Sequence, residues 1–86
     1  MSSLNHQFGS VVRQYREQRR WSQEVLADAA GLNRSYLGEI ERGVAVPSLA
    51  TIAKLAGALE LSLSELMARI ETGRPETARI EADRAH

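Results

Sequence analysis

The chain has no cysteine, so disulfides and thiolate metal sites are closed to it. That fits a reducing compartment, and the cytoplasm is the expected location. Only two prolines interrupt a sequence rich in Ala, Leu, Glu and Arg, a composition that favours helix over strand, so an all-α fold is expected. No stretch approaches the ~20 apolar residues of a membrane span. Met1 to Gln7 carry neither the basic start nor the apolar run of a signal peptide, so a soluble protein with no membrane partner is expected. Internal repeats and low-complexity tracts are lacking too. Neither sign of charge is in excess: eleven basic and eleven acidic residues cancel, whereas a nucleic-acid binder is often basic overall.

Materials for catalysis are also scarce. His6 and His86 lie at opposite ends, and Glu39 and Glu41, two apart on a helix, point different ways. There is no phosphate-cradling glycine loop and no cluster with metal-ligand spacing. The expectation is a protein that is not an enzyme and holds neither metal nor cofactor.

What is present is a run of helix punctuation. Eighty-six residues suit one compact domain, and a chain of this size often gains stability from a partner, so dimerisation is expected. A first helix is predicted from about Gln7 to Arg20, with Phe8, Val11, Val12 and Tyr15 on one face and arginines mostly on the other. Trp21 precedes the cap Ser22 and is expected in the core as a staple against Val25 or Leu26. Between Ser22 and Gly43, SQEVLADAAGLNRSYLGEIERG reads as two short helices. Ser22 caps the first, Gly31 stops it by a left-handed turn, and Asn33 caps the second. Two helices joined this closely cross steeply, and Ala27 and Ala30 are small enough to let them approach. Leu37 and Ile40 face inward, while Arg34, Ser35, Gly38 and Glu39 face outward. By composition alone that outer face is equally a solvated helix surface.

Ser48 caps a fourth helix whose apolar stripe is Leu49, Ile52, Ala53, Leu55, Ala56 and Leu59. Ser62 and Glu65 form a capping box for a fifth, carrying Leu63, Leu66, Met67 and Ile70. Leu63, Met67 and Ile70 either cover the base of the core or form a dimer interface. Residues 1–72 are thus expected to form the domain, and 73–86 a polar tail that is either a frayed helix from Pro75 or disordered. The charges are polarised: arginines crowd the first half, and Glu60, Glu65, Glu71, Glu76, Glu81 and Asp83 load the second.

SQEVLADAAGLNRSYLGEIERG, followed by PSLATIAKLAGAL and LSLSELM, resembles the Cro/CI-type (XRE) helix-turn-helix family, to which phage repressors and restriction-modification controller proteins belong. The resemblance spans roughly Phe8 to Ile70. It implies a five-helix domain that binds double-stranded DNA, at a pseudo-palindromic operator, as a homodimer, with the helix from about residue 33 to 42 in the major groove. It implies base reading by Arg34, Ser35 and Glu39, with Tyr36 against a thymine methyl or a phosphate. Arg34 suits guanine O6 and N7; Glu39 either accepts from cytosine N4 or orients Arg34. Ser22, Gln23, Gly38 and Arg42 match positions where the sugar-phosphate backbone is met. Arg16 and Glu41 match a buried salt bridge, whose breakage costs ~3–5 kcal/mol. The chain departs from the pattern in its neutral charge, in Trp21 where leucine is common, and in Val44-Ala45-Val46 where the loop is often basic. A rival reading is an antitoxin-like adaptor that holds a protein partner through the tail.

Overall fold

The computed structural model describes residues 4–72, and within them five helices and no strand. They are α1 (Leu4–Gln18), α2 (Gln23–Ala30), α3 (Arg34–Glu41), α4 (Leu49–Ala58) and α5 (Leu63–Thr72). The expected tail, 73–86, lies outside the described residues.

Side-chain oxygens start most of these helices, because the first amides of a helix have no partner within it. Ser22 accepts from the Val25 N–H at 3.1 Å, and Ser48 from the Thr51 N–H at 3.1 Å. At α5 the capping box closes in both directions: the Glu65 N–H donates to the Ser62 hydroxyl (3.0 Å), and the Ser62 N–H to the Glu65 carboxylate (2.8 Å).

Helix ends differ from expectation at α1, which runs Leu4–Gln18 rather than 7–20. Arg20 takes a left-handed φ of 59°. The Trp21 N–H then reaches back to the Arg16 carbonyl (3.2 Å), and the Arg20 N–H to that of Glu17 (2.9 Å). α4 ends in the same way through Glu60 (φ 60°), with Leu61 donating to Ala56. α2 ends so through Gly31 (φ 68°), with Leu32 donating to Ala27. Two of these three stops therefore carry a side chain where glycine is the unstrained choice.

One core joins the helices: Phe8 and Val12 from α1, Leu26, Ala27 and Ala30 from α2, Leu37 and Ile40 from α3, Leu55, Ala56 and Leu59 from α4 and its end, Leu66 and Ile70 from α5. Ile70 is only 5% exposed, so it is a core residue and not an interface candidate; Leu63 and Met67, about 40% exposed, keep that possibility. On α4 the buried set is Thr51, Leu55 and Ala56, while Leu49 is 73% exposed and Ala53 is also exposed. That helix is apolar nearly all round, and the neighbours that dock decide which stripe is covered. Trp21 is half-buried at the core's edge, with the Arg19 guanidinium 5.4 Å from its ring centre. Arg19 also donates to the Leu59 carbonyl, tying the ends of α1 and α4 together.

Candidate nucleic-acid interface

The turn between α2 and α3 is built by Gly31, Leu32 and Asn33. Gly31 supplies the left-handed backbone, and the Asn33 side chain accepts from the Ser35 N–H (2.7 Å) and the Tyr36 N–H (3.3 Å). Ala27 and Ala30 are buried at the crossing, where larger side chains would hold the helices apart. Leu37 and Ile40 are wholly buried, so α3 cannot rotate without exposing two large apolar side chains.

With that stripe inward, Arg34, Ser35, Glu39 and Arg42 are exposed and recur at helical spacing along the other side. Tyr36 is half-buried and packs on the core, leaving part of its surface at the edge of this face. Gly38, expected outside, is buried: a Cβ there would stand 3.3 Å from Arg42 Nη1 and 3.7 Å from Gln23 Oε1. The Arg42 guanidinium and the Gln23 amide both cover Gly38, the guanidinium more closely than the amide. Ser22, at the start of α2, is exposed.

Beneath this face lies an ionic network. Arg16 of α1 grips Glu41 of α3 with two hydrogen bonds, Nε to Oε2 at 2.7 Å and Nη2 to Oε1 at 3.0 Å. Its Nη1 donates to the Trp21 carbonyl at 2.8 Å. The two side chains are 12% and 3% exposed. The hydrogen bonds to Glu41 raise the Arg16 pKa above its ordinary value; burial works against this, and the charges of Glu41 and Glu17 add to it. Gln23 joins the network by donating Nε2 to Glu41 Oε1 at 3.0 Å. Among the described residues, no buried side-chain polar atom lacks a hydrogen bond.

Two contacts that seat α3 were not anticipated. Gly9 of α1 lies against the last carbonyls of α3, where a Cβ would collide with the Ile40 oxygen and stand 2.7 Å from that of Glu41. Gly43 (φ 76°) lies under the first turn of α1, with His6 Cα 2.8 Å from where its Cβ would be. The available signal was a lone glycine within a helical apolar pattern, Phe8-Gly9 with Val12 beyond it, which marks close packing. Beyond Gly43 the loop exposes Val44 (69%) and Val46 (72%). Val46 and Pro47 line a largely apolar groove of about 210 Å³ with Leu4, Asn5, Phe8, Ile52, Met67 and Ile70. Among the described residues there is no helix long and apolar enough to cross a membrane and no cluster of three metal-ligating side chains.

The helix-turn-helix family HTH_3 matches residues 12–66 of this chain. The transcriptional regulator SutR of Escherichia coli is 33% identical over 75 residues, covering 87% of this chain and 42% of SutR. Among solved structures, the restriction-modification controller protein C.AhdI of Aeromonas hydrophila superposes with a TM-score of 0.70 at 45% identity, over 72% of this chain and 94% of that one. The biofilm master regulator SinR, solved in complex with DNA, superposes with a TM-score of 0.65 at 34% identity, over 70% of this chain and 97% of that one. The chain spans about two fifths of the length of the first curated relatives it matches.

Proposed function

This chain belongs to the helix-turn-helix family HTH_3, of the XRE type, whose members are DNA-binding transcriptional regulators, and we propose that it binds a pseudo-palindromic operator as a homodimer with α3 in the major groove. The observation that carries this reading is the division of α3: Leu37 and Ile40 are locked in the core, and Arg34, Ser35, Glu39 and Arg42 emerge together on the opposite side.

In this reading Arg34, Ser35 and Glu39 face base edges, with Tyr36 at their margin. Arg34 reaches guanine O6 and N7, and Glu39 accepts from cytosine N4 or steadies Arg34; each good contact is worth ~1–3 kcal/mol of discrimination. Ser22, Gln23 and Arg42 meet phosphates on either side, and Gly38, covered by the Gln23 and Arg42 side chains, lets the sugar-phosphate backbone come close. Residues 1–72 act as the DNA-binding domain and 73–86 as an appended tail, in the cytoplasm. Self-association through Leu63 and Met67, beside the groove that Met67 lines, would set two copies of α3 ~34 Å apart, one turn of DNA.

A selection from genomic DNA with purified protein at moderate salt, run beside a mass measurement in solution, tests the proposal. The expected result is a dimer and an inverted repeat with half-sites about one helical turn apart. Folded protein that enriches no sequence would overturn it in favour of an adaptor that works by holding a protein partner.

A further inference from the structure

We infer that Glu41 is a positioning residue for recognition of the DNA backbone: it holds the Gln23 amide so that the second Nε2 hydrogen is presented to a phosphate. This rests on the operator-binding reading, and it gives the buried ion pair a second task besides joining α1 to α3.

The Glu41 carboxylate receives three donors although two would satisfy an ion pair. Arg16 occupies Oε2 through Nε and shares Oε1 through Nη2; the third donor, on Oε1, is Gln23 Nε2 at 3.0 Å. An ionised carboxylate only accepts, so the end of Gln23 that faces it is the nitrogen, which settles the amide's orientation. One Nε2 hydrogen is directed at Glu41, and the planar amide carries the other away from it. The amide lies beside Gly38, with Oε1 3.7 Å and Nε2 3.9 Å from where a Cβ would be, and Arg42 Nη1 at 3.3 Å lies beside the same point. A neutral donor and a guanidinium thus lie together over the buried Gly38. Gln23 is also the first residue of α2, at the helix end that favours negative charge.

Rigidity runs inward from there. The Trp21 carbonyl holds Arg16, Arg16 holds Glu41, and Glu41 holds Gln23, through hydrogen bonds of 2.7 to 3.0 Å. A glutamine at an exposed helix start would otherwise lose rotamer freedom when it met a phosphate. Here that ordering is already present in the free protein, which strengthens the contact by preorganisation.

The test uses the inverted-repeat duplex recovered by the selection, intact and with single phosphates replaced by neutral methylphosphonates. Arg16→Met combined with Glu41→Leu exchanges the buried pair for apolar side chains, a replacement often neutral for stability, while removing the acceptor of Gln23. Wild type is expected to bind about tenfold more weakly when one particular phosphate per half-site is neutralised, as loss of a hydrogen bond to a charged group implies. Gln23→Ala and the double replacement should each bind the intact duplex about tenfold more weakly and be indifferent to that phosphate. Adding Gln23→Ala to the double replacement should weaken binding no further. A folded double replacement that binds like wild type, and still senses that phosphate, overturns the inference while leaving operator binding intact. Wild type that binds no duplex overturns both.

Side-chain NMR of the wild-type protein removes any dependence on whether the variants fold. The Gln23 amide should be ordered before DNA is added, and only one of its two hydrogens should shift on titration. A Gln23 amide as mobile as a solvent-exposed glutamine overturns the inference.

Discussion

Gly9 in the middle of α1 touches the backbone of Glu41 at the end of α3: a Cβ on Gly9 would stand 2.7 Å from the Glu41 carbonyl oxygen and collide with that of Ile40. Two helix backbones meet there with no side chain between them, and the ion pair of Arg16 with Glu41 closes the same junction.

Gly9→Ala is therefore expected to be destabilising, although alanine is the better helix former. Neither backbone can yield without moving Val12 or Ile40 in the core, and overpacking of this kind costs about 1–3 kcal/mol. Thermal unfolding measures the loss. Because the clash displaces α3, DNA affinity should fall at temperatures where the variant is still folded. A variant as stable as wild type would show that the junction is looser than described.

Arg20→Gly should have the opposite sign. Arg20 holds a left-handed backbone (φ 59°) that glycine adopts without strain, and its exposed side chain has no described role in the core. Relief of about 1 kcal/mol corresponds to a rise in Tm of roughly 4–8 °C for a domain of this size. Glu60→Gly, at φ 60°, repeats the experiment at the end of α4, where only a 3.9 Å contact with Arg19 is lost. An unchanged Tm in both would contradict the account of these two stops.

Arg34 at the start of α3 and Arg42 just past its end are both exposed, and their replacement should affect binding differently. Arg34→Ala is expected to relax preference at one base pair per half-site, at a cost of about 1–3 kcal/mol against the best sequence. Arg42→Ala should weaken binding to all sequences about equally and lower the slope of log K against log[salt] by about 1. Selection profiles and salt titrations of the two variants separate these outcomes. An unaltered preference in Arg34→Ala would remove that residue from the reading face.

Acidification should weaken the start of α5. The backbone N–H of Ser62, and then its hydroxyl, hold the Glu65 carboxylate below its ordinary value of 4.5. Folding thus favours the ionised form, so the contribution is present above about pH 4.5 and is lost as pH falls through the lowered value. In Glu65→Gln this pH-dependent part disappears. The stability difference between wild type and the variant should be largest near neutrality and close at low pH, as followed by thermal unfolding across the range. A difference that does not change with pH would show that the box acts without its charge.

Most of the helix starts were legible because each is decided within a few residues. Ser22, Asn33, Ser48 and the Ser62–Glu65 pair serve amides three positions away or fewer, so spacing alone identifies them. Gly31 announced its turn for the same reason. The end of α1 is not legible in the sequence, because arginine carries no mark of a left-handed backbone. The pairing of Arg16 with Glu41 followed from family resemblance rather than spacing, since 25 residues separate them.

The sequence by itself determined the five helices, the tight turn before α3 and the inward stripe of Leu37 and Ile40, since capping, turn geometry and helical periodicity act over short stretches of chain. Tertiary structure alone decided which side of α4 is covered, that Ile70 lies in the core, and that Gly38 is buried beneath Gln23 and Arg42. It also decided that Gly9 is the seat of α3. An apolar stripe shows that a face can be buried without showing what will cover it. A glycine, having no side chain, adds nothing to a hydropathy pattern; its role emerges only when another backbone occupies the space its Cβ would have filled.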